Sequence, residues 1–193
     1  MCNLYRMTAS LHEMRRLFGP FRCDGTHLPR FGDIYPAKKA PVLSRADGEL
    51  ALSIMSWGFP SPHPGGSPSV TNVRDLSSRY WRPMLSDRAM RCLVPATQFC
   101  LWTARPDPET GRKRKIWFGL DEPLFAFAGI WRPSAEGGCM AFLTCGPNSL
   151  VAAVNPKAMP VILRPPDFDR WLDGERAVAL AKPHAASTMR VIA

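Results

Sequence analysis

In the stretch IWFGLDEPLFAFAGIW, residues 116–131, two apolar runs are separated by three turn-forming residues. The runs Ile116–Leu120 and Leu124–Trp131 are rich in aromatic and aliphatic side chains and are short enough to be strands. The segment Asp121–Pro123 between them is polar and contains a proline, which is typical of a turn. This stretch therefore predicts two strands joined as a tight antiparallel hairpin.

Further short apolar runs on both sides of this stretch also predict strands. They are Ala40–Leu43, Leu50–Trp57, Cys92–Pro95, Met140–Thr144 and Met159–Leu163. Many strands with few helices favour an α+β fold, in which a bent, barrel-like, mainly antiparallel β-sheet carries a few peripheral helices. The length of 193 residues is most simply a single domain, 1–193.

Three helices are predicted around this sheet. The first begins at Ser10, because Ser10 and Glu13 have the spacing of a capping box, and ends at Gly19-Pro20. A second is expected over 149–154. The third is opened by Pro165-Pro166-Asp167 and closed at Gly174. The proline- and glycine-rich segment 60–68 has no periodicity and is predicted to be a flexible loop.

The charge balance points to a polyanionic partner. The chain has 25 Lys and Arg against 16 Asp and Glu, a formal net charge of +9. A sequence pI near 9.7 is typical of nucleic-acid binders, although a solubilising surface is the alternative. The basic run Arg112–Lys115 falls in a predicted loop between strands and is weak evidence by itself.

The six cysteines and four histidines are scattered, without metal-ligand spacing. We expect free thiols, no metal and no cofactor. The sequence shows no signal peptide and no run of membrane-spanning length, so we expect a cytoplasmic monomer with no membrane partner.

Cys2 follows the initiator methionine, and a side chain this small normally permits removal of Met1. A terminal cysteine carries an α-amine and a thiol on adjacent carbons, and this pair condenses with an aldehyde to a five-membered thiazolidine. The reference pKa values of about 7.7–8.0 for the amine and about 8.5 for the thiol leave a nucleophilic fraction of each near neutrality. The alternative is that Cys2 is a small hydrophobic residue in a first strand.

Five segments, in this order and spread over nearly the whole chain, resemble the SOS-response-associated peptidase (SRAP) family, which shields abasic sites in single-stranded DNA. They are Met1–Tyr5, Ser56–Pro60, Thr71–Arg74, Arg91–Pro95 and Ala158–Leu163. The resemblance implies that Cys2 forms a thiazolidine with the ring-opened aldehyde of an abasic deoxyribose. It also implies autocatalytic removal of the leader methionine, and a location on the nucleoid when the protein is bound to DNA.

The same resemblance assigns the other site residues. Asn72, of the Asn-x-Arg motif, would lie against the cysteine and the sugar as an uncharged orienting group. Arg74, and less directly Arg79, would hold phosphates. Pro36 and Trp57 match positions that line the DNA groove, although the Trp57 ring could instead cover a sheet edge.

Two of the usual active-site positions of the family are replaced in this sequence. Leu101 stands where a glutamate is expected, and Asn155 stands where a histidine is expected. Neither side chain can act as a general acid or base, each of which contributes typically about 10²–10⁴-fold. We therefore expect aldehyde capture to persist while crosslink reversal and self-processing are slow. Lys157, His63 and His184 are candidate substitutes for the missing acid and base. For each of them, a structural or solvent-exposed role is the favoured alternative.

Two other classes of function stay open. A noncatalytic SRAP paralogue would keep the basic groove and bind single-stranded DNA without the chemistry. A cysteine amidohydrolase would use Cys2 on a small amide and would have no use for the positive charge, so a strong salt dependence of DNA binding argues against it.

Overall fold

Two β-sheets, which share one aromatic core, position the first strand of the chain in this computed structural model. The structure describes residues 2–23, 29–61, 69–135 and 137–192. The architecture is α+β with a mostly antiparallel sheet and few helices, as predicted.

The described strands are mostly short. They are β1 (Leu4–Met7), β2 (Arg22–Cys23), β3 (Gly32–Ile34), β4 (Lys39–Ala46), β5 (Glu49–Trp57), β6 (Phe59–Pro60), β7 (Ser69–Val70), β8 (Asn72–Val73), β9 (Arg91–Ala96), β10 (Gln98–Trp102), β11 (Lys115–Leu120), β12 (Phe125–Arg132), β13 (Cys139–Cys145), β14 (Met159–Pro160), β15 (Ile162–Leu163) and β16 (Met189–Ile192).

The described helices lie outside the sheets. They are α1 (Leu11–Phe18), α2 (Arg82–Ser86), α3 (Ser149–Ala152), α4 (Asp167–Leu172) and α5 (Ala177–Leu180), with 3-10 turns at Arg88–Met90 and Ala186–Thr188. None of the helices in the described part of the chain is long and apolar enough to cross a membrane.

The larger sheet is ring-like. Its strands run in the order β14-β13-β12-β9-β4-β5-β2, and a parallel pairing of β13 with β5 brings its two sides together. The sheet is thus bent round its core, as the barrel-like prediction required, but it does not make a closed barrel. The smaller sheet has the order β16-β11-β10-β1-β3, and all of its pairs are antiparallel.

The three predicted helices are confirmed, and the first has the predicted cap. The Ser10 hydroxyl accepts from the Glu13 amide, and the Glu13 carboxylate accepts from the Ser10 amide at 2.7 Å. Met14 is the fully buried residue of α1. The helices α3 and α4 match the other two predicted segments, although α3 is shorter than predicted.

The predicted hairpin over 116–131 is wrong. Both strands form, but β11 pairs with β10 and β16 in the smaller sheet, whereas β12 pairs with β9, β13 and β15 in the larger one. The backbone amide of Asp121 donates to the Thr188 carbonyl at 3.0 Å, so the chain turns toward β16 and not back across β11. The stretch therefore carries the chain from one sheet to the other.

The loop predicted over 60–68 falls mostly outside the described residues. The strands on either side of it, β6 and β7, pair with each other through Phe59 with Val70 and Pro60 with Ser69.

The strands β9 and β12 read as nearly continuous apolar runs because both of their faces are covered. One face lines the core, and α4 packs on β9 from outside, where the Trp171 indole donates to the carbonyls of Cys92 (3.0 Å) and Gly129 (3.2 Å). A Cβ added at Gly129 would lie 2.7 Å from Cys92 Sγ and 2.8 Å from a Val94 methyl. Glycine at this position is therefore required by close packing.

We expect Gly129→Ala to lower the free energy of unfolding by about 1–3 kcal/mol, because the added methyl overpacks the β9–β12 contact. Urea denaturation followed by circular dichroism measures this loss. The matched control is Gly146→Ala, since no heavy atom lies within 4 Å of the Cβ position there. Equal stabilities of the two variants would contradict the packing argument.

Candidate functional site

Cys2 lies just ahead of β1, which is an interior strand of the smaller sheet between β10 and β3. Its thiol donates to the Leu4 carbonyl at 3.3 Å and also lies 3.6 Å from the Cys100 carbonyl. The residue is 1% exposed. The candidate nucleophile is therefore held against the middle of β10 by the pairing of β1, and it is covered by its surroundings.

Burial raises the pKa of the Cys2 thiol to about 12, against an ordinary value near 9.0. The hydrogen bonds with the Leu4 and Cys100 backbones lower the pKa of the thiol but do not offset the effect of burial, and no described carboxylate, histidine or cation contacts it. At neutral pH the thiol is consequently protonated.

Asn72, in β8, meets the backbone of Cys2. Its amide nitrogen Nδ2 donates to the Cys2 carbonyl oxygen at 2.8 Å and to the hydroxyl oxygen of Thr71 at 2.8 Å. The side chain is buried, and its oxygen Oδ1 has no hydrogen-bond partner among the described residues. Because both amide hydrogens are engaged, the remaining capacity of Asn72 is that of an acceptor. The structure thus brings together Cys2 and Asn72, which lie 70 positions apart.

Thr71 is a site residue that the sequence reasoning missed. Its hydroxyl takes one hydrogen of the Asn72 amide, and its carbonyl accepts from the Trp57 indole at 3.1 Å. The only sequence signal was a hydroxyl residue directly before the Asn-x-Arg motif. The contact depends on the local backbone and has no spacing rule that would have revealed it.

Trp102 and Asn3 were missed as well. The Trp102 indole donates to the Asn3 side-chain oxygen at 3.1 Å, which joins the end of β10 to the residue next to Cys2. Trp102 directly follows the altered position Leu101, and this adjacency could have drawn attention to it.

Arg74 and Arg79 lie on the exposed segment that follows β8. Neither forms an ion pair with another described residue. The neighbouring carboxylate of Asp75 accepts instead from the amide (2.9 Å) and hydroxyl (2.6 Å) of Ser77, which holds the pKa of Asp75 below its usual range. Both guanidinium groups are therefore open to solvent. They lie on the segment that directly follows β8, the strand that contains Asn72.

The stacking role predicted for Trp57 does not fit its position. The residue is 0% exposed, and its ring stacks on Phe142 at a centroid distance of 5.2 Å. Neither face of the ring is open to a base. The alternative reading, a structural tryptophan, matches this burial.

Pro36 lies half-buried in a turn that Trp57 supports. The amide of Lys38 donates to the Tyr35 carbonyl at 3.1 Å, and the amide of Ala37 donates to the Trp57 carbonyl at 2.7 Å. Ala37 has a φ of 65°, a left-handed conformation that is unfavourable for a residue with a Cβ. The turn is therefore held firmly by backbone bonds in spite of this strain.

The two altered family positions contain no titratable group. Leu101 is fully buried on β10 opposite Ile116. The Asn155 amide donates to the Trp102 carbonyl at 3.0 Å, and its side-chain oxygen accepts from the Lys157 amide at 3.1 Å. Asn155 therefore ties the loop before β14 to the end of β10.

The candidate substitutes do not supply a described acid or base at Cys2. Lys157 is exposed, and its contact with Asn155 is made by its backbone. His184 contacts the Thr188 hydroxyl at 3.1 Å and lines a cavity of about 690 Å³ whose lining does not include Cys2 or Asn72. Burial lowers the pKa of His184. His63 lies outside the described residues.

Within the described ranges, no three His, Cys, Asp or Glu side chains form a cluster that could hold a metal ion. The site built around Cys2 and Asn72 therefore consists of a protonated thiol, a carboxamide, hydroxyl and backbone groups, and nearby exposed arginines. Such a set can position an aminothiol and hold an anion, and it contains no described group that would exchange protons near pH 7.

Solved structures share this fold. A protein from Bacteroides thetaiotaomicron is 20% identical with a TM-score of 0.75, and the match covers 100% of this chain and 92% of that one. A protein from Bordetella bronchiseptica is 19% identical with a TM-score of 0.75 and 100% coverage of both chains. A phage-related protein from the same organism is 20% identical with a TM-score of 0.74, covering 99% of this chain and 93% of the other.

The model of the SOS response associated peptidase (SRAP) family matches residues 1–193, and the chain belongs to that family. The predicted family is thereby confirmed, and membership supports a DNA-associated function in the response to damage. No curated protein matches the sequence.

We expect Cys2 to react slowly with a thiol reagent in the folded protein, and its rate to rise about tenfold per pH unit from pH 7 to 10 without a plateau near 9. The reason is that only the thiolate reacts, while burial keeps the pKa of this thiol near 12. Peptide-resolved mass spectrometry of labelled protein measures the rate.

Cys23, which is partly exposed, is the internal reference for this labelling, and urea-unfolded protein shows the reactivity of all six cysteines. A Cys2 rate that levels off near pH 9 in the folded state would contradict the buried, protonated thiol.

Proposed function

We propose that this protein, acting as a monomeric single SRAP-like domain over 1–193, binds single-stranded DNA and senses abasic sites. After removal of Met1, Cys2 captures the ring-opened aldehyde as a thiazolidine. The observation that carries the proposal is the contact of Asn72 with the Cys2 backbone at 2.8 Å, beside two exposed arginines. With DNA as its partner, the protein is expected on the nucleoid.

The chemistry begins at the amine. The α-amine of processed Cys2 adds to the aldehyde carbon to give a carbinolamine, which loses one water to form an imine. The thiol then adds across the C=N bond, its sulfur bonding to carbon and its proton passing to nitrogen. The net reaction joins aminothiol and aldehyde with loss of one water. A protonated thiol fits this order, because the amine and not the sulfur makes the first attack.

Asn72 suits the role of holding the terminus during these steps. Its Nδ2 fixes the Cys2 carbonyl, and its unpartnered Oδ1 is an acceptor for an amine hydrogen or a sugar hydroxyl. A buried acceptor without a partner costs about 1–3 kcal/mol, so a donor arriving there is favoured. The group also brings no charge next to two nucleophiles.

Arg74 and Arg79 are proposed to hold phosphates of the bound strand, and Pro36 to line the groove. Support comes from the exposure of both guanidinium groups and from their freedom from ion pairs among the described residues. Arginine suits this task because its planar fork matches the geometry of phosphate oxygens. Trp57 has no part in this contact, since its ring is buried.

Release of the DNA and removal of the leader are proposed to be slow. Both need protons moved at the sugar oxygen, the imine or the leaving amine, and Leu101 cannot move any. Asn155 is engaged with the Trp102 carbonyl and does not titrate. The crosslink would therefore behave as a long-lived or single-turnover product.

We expect Met1-free protein, verified by intact mass, to form a heat-stable adduct with abasic single-stranded DNA and none with intact DNA. Cys2→Ser should abolish that adduct, because the thiazolidine sulfur is lost. Denaturing electrophoresis after heating measures the yield.

The matched control for this experiment is Cys145→Ser, which removes a thiol remote in sequence that is only partly buried and should leave the yield unchanged. Absence of any adduct with wild-type protein whose Met1 is gone would remove the covalent mechanism.

The alternative function is a noncatalytic single-stranded DNA binder. The buried Cys2 thiol, with its raised pKa, and the replaced residues Leu101 and Asn155 favour it. It predicts that wild type and Cys2→Ser bind abasic and intact strands with the same affinity and that neither forms an adduct.

We expect Asn155→His to accelerate release of DNA from the preformed adduct, by up to about 10²–10⁴-fold, because an imidazole at this position restores a proton donor and acceptor. Release of DNA from the adduct is followed over time after an excess of a reagent that traps free aldehydes is added. Asn155→Ala is the control, since it also removes the bond to Trp102 but supplies no imidazole. An unchanged release rate in a folded Asn155→His variant would contradict the proposed cause of slow reversal.

A further inference from the structure

The outer face of the smaller sheet carries aromatic rings interleaved with cations. On this face Trp102 of β10 lies directly opposite Lys115 of β11, and Trp117 lies opposite Cys100. The Lys115 ammonium lies 5.3 Å from the Trp102 ring centroid and 5.9 Å from that of Tyr35, which follows β3. We call Tyr35, Trp102 and Lys115 the outer-face cluster.

Resting on the proposed function, we propose that the outer-face cluster binds the single-stranded DNA that continues from the lesion, with a base stacked on Tyr35 and a phosphate on Lys115. The surface extends the Cys2 site along the strand. It does not take part in the capture chemistry.

Location is the first argument. The Trp102 indole donates to the Asn3 side chain at 3.1 Å, so the cluster begins beside the residue that follows Cys2. A strand whose abasic sugar is at Cys2 therefore has its neighbouring nucleotides within reach of this face.

Exposure is the second argument. Tyr35 is 43% exposed, and it is the one aromatic residue among the large hydrophobic side chains that are exposed in the described ranges. An exposed ring next to a cation suits base stacking, which every base can provide whatever its identity.

Lys115 is a cation on this face whose charge is not neutralised by a described carboxylate. Arg6 lies over the Trp117 ring at 4.4 Å but is held by Asp33 at 2.6 Å. Arg190, opposite Gly119, is paired with Asp121 at 3.2 Å. Lys115 forms no ion pair with another residue in the described part of the chain. It also follows the exposed basic run 112–114, which adds positive potential at the same edge.

The turn that carries Tyr35 is also rigid. The Tyr35–Lys38 turn is fixed to the Trp57 backbone by the 2.7 Å bond from the Ala37 amide, even though Ala37 has a positive φ. Backbone strain of this kind persists where the surrounding structure holds it, and it is common at binding sites. The turn fixes the backbone at Tyr35, so little backbone freedom is lost when a base stacks on the ring.

The test is fluorescence anisotropy binding of an unmodified single strand of about 15 nucleotides, the long strand, by the full chain. We expect Tyr35→Ala to weaken binding of the long strand by about 5- to 150-fold, because the stacking of one base is lost. Tyr35→Phe, which keeps the ring, should bind like wild type. Lys115→Ala should reduce the slope of log affinity against log salt by about 0.7, the value for one phosphate contact on a single strand.

Lys182→Ala is the matched control, because Lys182 is an exposed lysine that lines the separate 690 Å³ cavity. The proposal would be overturned if Tyr35→Ala and Lys115→Ala bound the long strand with the same affinity as Lys182→Ala.

Failure of this proposal is distinguishable from failure of the covalent mechanism. The yield of adduct with free 2-deoxyribose 5-phosphate, an aldehyde that has no neighbouring nucleotides, reports on Cys2 alone, and Tyr35→Ala should not change it. If no protein forms an adduct but the affinity for the long strand still depends on Tyr35, the outer-face cluster is supported and the covalent mechanism is not.

Discussion

The contact of the Tyr5 ring with the aromatic core of the larger sheet is the interaction on which the rest of the site depends. Tyr5 is fully buried, and its edge meets Trp57, Phe127 and Phe142 at centroid distances of 5.0, 5.7 and 6.0 Å. Aromatic pairs of this kind contribute about 0.5–1.5 kcal/mol each beyond the area that they bury. Three such pairs hold β1 of one sheet to the interior of the other.

This anchor explains why a residue so near the chain terminus is well positioned. β1 is bonded on both sides, by β10 and β3, and Tyr5 fixes it from the core. Terminal residues are ordinarily poorly ordered unless they are tied into a sheet in this way. The position of Cys2 is set by β1, which follows it. Asn72 then donates to a Cys2 carbonyl that β1 already holds in place.

Local patterns in the sequence predicted the helices and strands, which depend on residues close together in the chain. The capping box set the start of α1, and the apolar runs gave most of the long strands. The partners of those strands were not predictable in this way: β11 met β16, a strand of four residues at the far end of the chain, and not β12. Nothing in IWFGLDEPLFAFAGIW shows that a remote strand occupies the edge that a hairpin would use.

The same distinction between local and long-range information applies to the candidate site. The family motif led to Cys2 and Asn72, whose contact spans 70 positions, but the motif alone could not tell a buried indole from an exposed one. Trp57 supports the turn that carries Pro36 and Tyr35 through backbone bonds and not through its ring. Thr71 and Asn3 were missed because single hydrogen bonds between a side chain and a nearby backbone or indole leave no spacing in the sequence.

The interior position of β1 also sets an order of events during synthesis. The carbonyl of Cys100, which lies against the Cys2 thiol, is 98 positions further along the chain. At about 5–20 residues per second, the amino-terminal segment leaves the ribosome on the order of ten seconds before its partner strand exists. During that interval the segment cannot pair with β10, so this strand does not cover the peptide bond ahead of Cys2. Once β10 has formed, the same bond lies next to a residue that is buried in a sheet.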